Sequence, residues 1–193
     1  SDALITSNTS SLPADRLFSH LEHPERTTVT HFFAPAFKNP AVEVVEWAKS
    51  DDDLVDYIRW FFYQTGKVPM VTDDAVCFML DRIFDNWCNE AALLLDVAKP
   101  SEIDSVTTEF VHAGPFFVLN MANGNPIIVE TNTLQMEEEG EHYRPADIFN
   151  TISERWETIP PGAGVEVDAD KSRIIRDRML GILFSQTVDI LDR

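Results

Sequence analysis

The stretch "THFFAPAFKNPAVEVVEW", residues 30–47, decides how the first part of this chain is read. Thr27 to Phe33 is a run of β-branched and aromatic residues, the composition of a strand. Ala41 to Trp47 is a second such run, and it carries a carboxylate, Glu43, in its apolar middle. An ionised carboxylate inside a core strand is costly unless it is paired. His31, near the end of the preceding strand, is a suitable partner. A carboxylate would hold one imidazole nitrogen as N–H and leave the other as a base. The residues alone leave a second arrangement open, in which Glu43 faces solvent from an edge strand and His31 is a satisfied core residue.

Outward from this pair, strand and helix signals alternate. Ala3 to Thr6 is a short apolar strand closed by the polar run Ser7-Asn8-Thr9-Ser10-Ser11. A serine cap and Pro13 ahead of Leu17, Phe18 and Leu21 predict a helix. Asp52 to Gln64 has helical spacing and stops at Gly66, and Val68 to Thr72 is a last short strand. The alternation predicts an α/β sheet, expected to be open and parallel, in which ligands bind at the carboxyl ends of strands. The Ser7–Ser11 run, His31 and Glu43 all lie at or near such ends. Beyond Asp73 the pattern is helical: Val76 to Asp96, Ser101 to His112 behind a serine N-cap, Ala146 to Trp156, and from about Asp170 to the end. Residues 160–164, Pro-Pro-Gly-Ala-Gly, read as a linker. The fold class expected is α/β followed by all-α, with the change near Thr72. A faint internal repeat aligns "LDRIFDNWCNEAALLLD", from Leu80, with "RDRMLGILFSQTVDILD", from Arg176.

Composition narrows the function. The 193 residues are 44% hydrophobic, enough for a real core, and carry 33 acidic against 15 basic residues. The net charge of −18 disfavours nucleic acid and anionic membranes as partners. The apolar runs, such as Ala91 to Leu95, are far too short to span a bilayer, and the first residues lack the pattern of a signal peptide. Cys77 and Cys88 fall in one helical pattern, roughly 16 Å apart, beyond disulfide reach. They read as free thiols of a reducing, cytoplasmic compartment. Neither His20-Leu-Glu-His23 nor the acidic run Glu137 to His142 supplies a full ligand set, so no metal is expected. The chain starts inside a strand and stops inside a helix, and both ends are expected to be interior to a longer protein.

Taken together, "SNTSSLPADRL", "HFFAP", "VEVV", "TGK", "NEA" and "GPF" resemble the 3-hydroxyacyl-CoA dehydrogenases. Ser-Asn-Thr-Ser-Ser, His-Phe-Phe-x-Pro and Val-Glu-Val-Val stand in that family's order and at its spacing, and the match is firm to about residue 119. The resemblance implies a partial Rossmann-type sheet plus a helical, dimerisation-type domain. Residues 1–72 would be the C-terminal portion of the NAD-binding domain, 73–159 the helical domain, and 160–193 a linker and the start of a second helical copy. It implies His31 as the catalytic base that takes the proton of a 3-hydroxyl, with Glu43 orienting it. Ser10 would hydrogen-bond the reacting oxygen, Asp81 would stand beside the thioester, and Asn8, Ser10 and Ala34 would border the NAD cofactor. The reaction implied is NAD-dependent oxidation of a 3-hydroxyacyl-CoA to the 3-oxoacyl-CoA in fatty-acid-type β-oxidation. The partners implied are an acyl-CoA and either a second copy of the chain or an internal mimic of one, with the wide apolar face from Met79 to Ala91 as the expected interface.

Four departures from the family pattern stand out. No Gly-x-Gly-x-x-Gly turn is present, so poor NAD binding by this chain alone is expected. Ala34 replaces the asparagine of His-Phe-Phe-Asn-Pro. Asp81-Arg82 replaces Asn-Arg, and Val76-Cys77-Phe78 replaces Pro-Gly-Phe. Asp81 has an alternative reading as a structural residue paired with Arg82. Two alternatives to the dehydrogenase follow: a catalytically inactive family member serving as a scaffold or oligomerisation module, and a dehydrogenase of another β-hydroxy acid.

Overall fold

A computed structural model describes residues 3–152 and 154–192. The chain divides into two compact units, residues 1–81 and 82–193, an α/β unit followed by an all-helical one, as the sequence predicts.

The first unit is a four-stranded sheet in the order β1 (Ile5–Ser7), β2 (Thr27–Phe32), β3 (Ala41–Glu46), β4 (Val68–Asp73). Helix α1 (Ala14–Phe18) connects the parallel pair β1 and β2, and α2 (Asp52–Gln64) connects the parallel pair β3 and β4. The expectation of an all-parallel sheet is corrected here: β2 and β3 run antiparallel. The cause is chain length. The connection 33–40 is far shorter than the dozen or more residues a parallel crossover requires.

Strand alternation then sorts the side chains onto two faces. Val29 and Val45 pack with Ala14, Phe18, Trp47 and Phe78 beneath α1. Val44 packs with Leu54, Val55 and Ile58 of α2. Helix α2 follows its predicted span. Asp51 caps it, accepting from the Asp53 N–H at 2.9 Å, and Gly66 takes the left-handed φ of +81° that ends it. Helix α1 has no serine cap. Pro13 stands at its N-cap, and the Asp74 carboxylate reaches across the sequence to accept from the N–H groups of Ala14 at 2.6 Å and Asp15 at 2.9 Å.

The long helix expected from Val76 begins instead at Leu80, as α3 (Leu80–Leu93). Cys77 and Phe78 have φ of +63° and +42°, and a right-handed helix cannot run through them. Cys77 therefore precedes the helix, and both cysteines are buried and outside any disulfide.

In the second unit, α3 is followed by α4 (Pro100–Thr107), α5 (Pro115–Ala122), α6 (Asn125–Glu139), α7 (Ile148–Thr151) and α8 (Ala169–Leu191). Ser101 is not the N-cap of α4. Pro100 opens the helix at N1, which places Ser101 inside the first turn. Trp87, Cys88, Ala91, Ile103, Phe116, Ile128, Ile175 and Met179 form one buried cluster, so much of the apolar face of α3 is core. The helix expected over 146–156 is a single turn, α7. Ile152 turns extended, and Asn120 then pairs with the backbone of Trp156 at 2.9 and 3.0 Å in place of a helical partner. Residues 153 and 193, which the predicted helices include, lie outside the described residues. No described helix is long and apolar enough to cross a membrane.

Candidate active site

The antiparallel register pairs His31 directly with Glu43. Directly opposed residues share a face of the sheet, so both side chains point to the α1 side, among buried residues. Glu43 is fully buried and His31 is 6% exposed. His31 Nδ1 lies 2.6 Å from Glu43 Oε2, a short, charge-assisted hydrogen bond. The other Glu43 oxygen accepts from the N–H groups of Met79 at 3.0 Å and Leu80 at 2.9 Å. These are free donors at the entry to α3, and they fix the carboxylate while satisfying its burial. The rings of Phe33 and Phe78 flank the imidazole, with centroids at 5.8 and 6.2 Å.

The other imidazole nitrogen, Nε2, makes no hydrogen bond among the described residues. It faces Asp81 Oδ2 at 3.8 Å. The nearby Ser10 side chain works to lower the Asp81 pKa. Burial pushes the Asp81 carboxyl up to about 6, the His31 charge opposes that rise, and the Glu43 charge adds to it. Burial works to lower the His31 pKa, but the hydrogen bond to Glu43 and the charges of Asp81 and Glu43 outweigh it and leave it raised.

Four of the six residues singled out from sequence therefore meet: His31, Glu43, Ser10 and Asp81. The loop that carries Ser10 is built from short hydroxyl turns. Ser7 Oγ accepts from the Thr9 N–H, and Thr9 Oγ1 from those of Ser11 and Leu12. Asn8 does not enter the cluster directly. Its Oδ1 accepts from the Phe32 N–H at 2.9 Å, which ties the loop to the end of the His31 strand. Ala34 is exposed in the 33–40 connection, and Lys67 holds that segment by bonding the carbonyls of Ala36 and, at 2.7 Å, Asn39.

Sequence reasoning missed the Met79 and Leu80 N–H groups, because a backbone donor has no residue signature. It also missed Asp74 and Lys67, which brace the two flanking loops. In hindsight the shortness of the 33–40 connection was signal enough for the antiparallel register that brings Glu43 opposite His31. Among the described residues, no group of three or more potential ligands could hold a metal ion.

Residues 1–75 match the profile of the NAD-binding domain of 3-hydroxyacyl-CoA dehydrogenase. The fatty acid oxidation complex subunit alpha of Aliivibrio fischeri is 32% identical over 153 residues, which is 78% of this chain and 22% of that protein. The crystal structure of the (S)-3-hydroxybutyryl-CoA dehydrogenase of Ralstonia eutropha superposes with a TM-score of 0.72 at 26% identity, over 77% of this chain and 54% of that one. The 3-hydroxybutyryl-CoA dehydrogenase of Escherichia coli shares the fold, with a TM-score of 0.73 at 21% identity over 86% of this chain and 39% of that one. The chain thus spans about a fifth of the length of the curated relatives it matches.

Proposed function

We propose, from the match of residues 1–75 to the NAD-binding domain of the 3-hydroxyacyl-CoA dehydrogenases and the likeness of the chain to their relatives, that the chain belongs to that family and that its first unit carries the proton-transfer site of an NAD-dependent dehydrogenase that interconverts a 3-hydroxyacyl-CoA and a 3-oxoacyl-CoA in fatty-acid-type β-oxidation. The observation that carries the proposal is the cross-strand pair. His31 is held by Glu43 through Nδ1 at 2.6 Å, and Nε2 is left without a hydrogen bond among the described residues, beside a serine hydroxyl and a carboxylate.

In this reading His31 Nε2 accepts the proton of the substrate's 3-hydroxyl during oxidation. Glu43 keeps Nδ1 as the N–H tautomer and stabilises the imidazolium that forms. Ser10 turns its hydroxyl toward the reacting oxygen, and Asp81 borders the thioester. Asn8, Ser10 and Ala34 would border the nicotinamide end of the cofactor, which supplies the hydride acceptor when bound. The residues present fit one end of a dinucleotide only. None of the seven glycines stands between β1 and α1, so this segment offers no glycine-rich cradle for a diphosphate.

The proposal accordingly places residues 1–72 as the C-terminal portion of a Rossmann-like domain, 73–159 as a helical domain, and 160–193 as a linker and the start of a second helical copy within a longer enzyme. A homodimer or an internal pseudo-dimer through the helical part belongs to the same reading. Exposed Phe184, Val188 and Leu191 form a stripe along α8 that such a partner would cover. The two buried cysteines, neither of them in a disulfide, support a cytoplasmic setting.

Ala34 and Asp81 support a second reading, a family member that binds without turning over. One assay separates the two. A longer protein with a glycine-rich dinucleotide turn upstream is given NAD and 3-hydroxybutyryl-CoA, and NADH absorbance is followed. Steady NADH formation supports the dehydrogenase. A folded protein that stays inert across short, medium and long acyl chains overturns it in favour of the scaffold.

A further inference from the structure

We infer that Asp81 is a positioning residue for the His31 proton: it is a second carboxylate on the imidazole, and it holds the ring with N–H groups on both nitrogens, so that the site presents a donor to an acceptor oxygen. This deepens the dehydrogenase reading and rests on it only for the identity of that oxygen, which would be the carbonyl of a 3-oxoacyl thioester, protonated in the reverse of the oxidation described above.

The argument starts from what each carboxylate can do. Glu43 spends one oxygen on His31 Nδ1 and the other on two backbone N–H groups. Both Glu43 oxygens are thus engaged by donors, and neither is left for a further partner on the ring. Asp81 stands on the opposite side of the ring, 3.8 Å from Nε2. That distance is within ion-pair range and beyond hydrogen-bond range. The Nε2–H is therefore attracted by the charge but not consumed by a bond, and it remains free to point at an incoming oxygen. The charged or titratable groups that act on the imidazole are Glu43 from β3 and Asp81 from the start of α3, both negative. Phe33 and Phe78 cover the ring and exclude water that would screen them.

An amide at position 81 would present a similar shape with no charge. The carboxylate makes the difference between a His–Glu pair, in which Nε2 is ready to accept a proton, and a flanked imidazolium, in which it is ready to give one. The direction of the His31 shift agrees: the Glu43 hydrogen bond and the charges of Asp81 and Glu43 leave it raised against the effect of burial.

The test needs neither substrate nor cofactor. Long-range 1H–15N spectra of this chain, recorded across pH, report the protonation and tautomer of His31 directly. In Asp81→Asn the ratio of protonated to neutral His31 at a fixed pH falls on the order of tenfold, as removal of one adjacent charge requires, and the neutral ring keeps its proton on Nδ1. Asp81→Ser is the second variant should the amide disturb the fold. Unchanged backbone amide shifts away from the site exclude a purely structural cause. Titration curves for His31 that coincide in wild type and both variants overturn the inference. Failure of the dehydrogenase reading would show elsewhere, in absent turnover, and would leave this titration decided either way.

Discussion

Both units bury a polar cluster, and the two clusters differ in what they leave unused. In the helical unit Arg82 is fully buried. It bonds Glu139 through both terminal nitrogens, at 2.5 and 2.7 Å, and Asp189 at 3.0 Å. Around it Asn86 donates to Gln135, and Asn132 donates to Asn86 and to the Tyr143 carbonyl. The charge there is surrounded by opposite charge on short bonds, and α3, α6 and α8 are locked to one another. Trp87 Nε1, Asn132 Oδ1 and Gln135 Nε2 find no hydrogen-bond partner among the described residues. In the α/β unit the supports are as complete around Glu43 and Asp74, yet the central imidazole keeps one nitrogen without a hydrogen bond among the described residues. Burial and polarity therefore do not by themselves mark a site. What marks it is a titratable atom held rigidly by its neighbours and left with unused bonding capacity.

The comparison can be broken most violently at Arg82. Arg82→Ala strands Glu139 and Asp189 beside each other and is expected to cost about 3–5 kcal/mol of the helical unit's stability, read by urea denaturation. A loss below about 1 kcal/mol would show that this cluster is not the lock described. Glu43→Gln sharpens the other side. The amide oxygen still accepts from Met79 and Leu80, so the fold survives. Turnover of the longer enzyme is expected to drop on the order of 10²–10⁴-fold, because the tautomer and the imidazolium lose their support.

A smaller effect is expected at Asp104, a fully buried carboxyl that accepts from the N–H groups of Phe116 and Phe117 at 2.9 and 3.0 Å. Burial pushes its pKa up to about 7, against the pull of those two donors. Its folded value lies above its unfolded one, so the folded state binds the extra proton. Stability from this group is full below about pH 4 and is lost as pH rises toward 7. Denaturation at several pH values should show that slope in wild type and a flatter one in Asp104→Asn. Parallel slopes would remove Asp104 from the account. Smallest of all, Asp51→Ala removes the cap of α2 and is expected to cost about 1 kcal/mol in thermal unfolding, with no change at His31.

How much of this could be read from the residues differs between the units for the same physical reason. Strands β2 and β3 were legible from their β-branched and aromatic runs, whereas the pairing of His31 with Glu43 was one of two arrangements the residues left open, and the family resemblance favoured it. Their antiparallel sense lies in the length of the 33–40 connection and not in the composition of either strand. Asp81 was legible as a departure, but its place against Nε2 depends on the left-handed turn at Cys77 and Phe78, which no helical periodicity reveals. In the helical unit α6 went unseen. Its buried face holds Thr131, Asn132 and Gln135, so hydropathy gives it no period. Polar residues that serve a buried network look in sequence like polar residues that face water.

The most direct test of the central claim is turnover and stability of His31→Ala in the longer enzyme, measured together with NAD and 3-hydroxybutyryl-CoA. The account predicts a fall in turnover of at least about 10³-fold with a cooperative unfolding transition retained. Turnover within about tenfold of wild type would contradict it, and would mean that the cross-strand pair of His31 and Glu43 is a piece of buried architecture and not the seat of proton transfer.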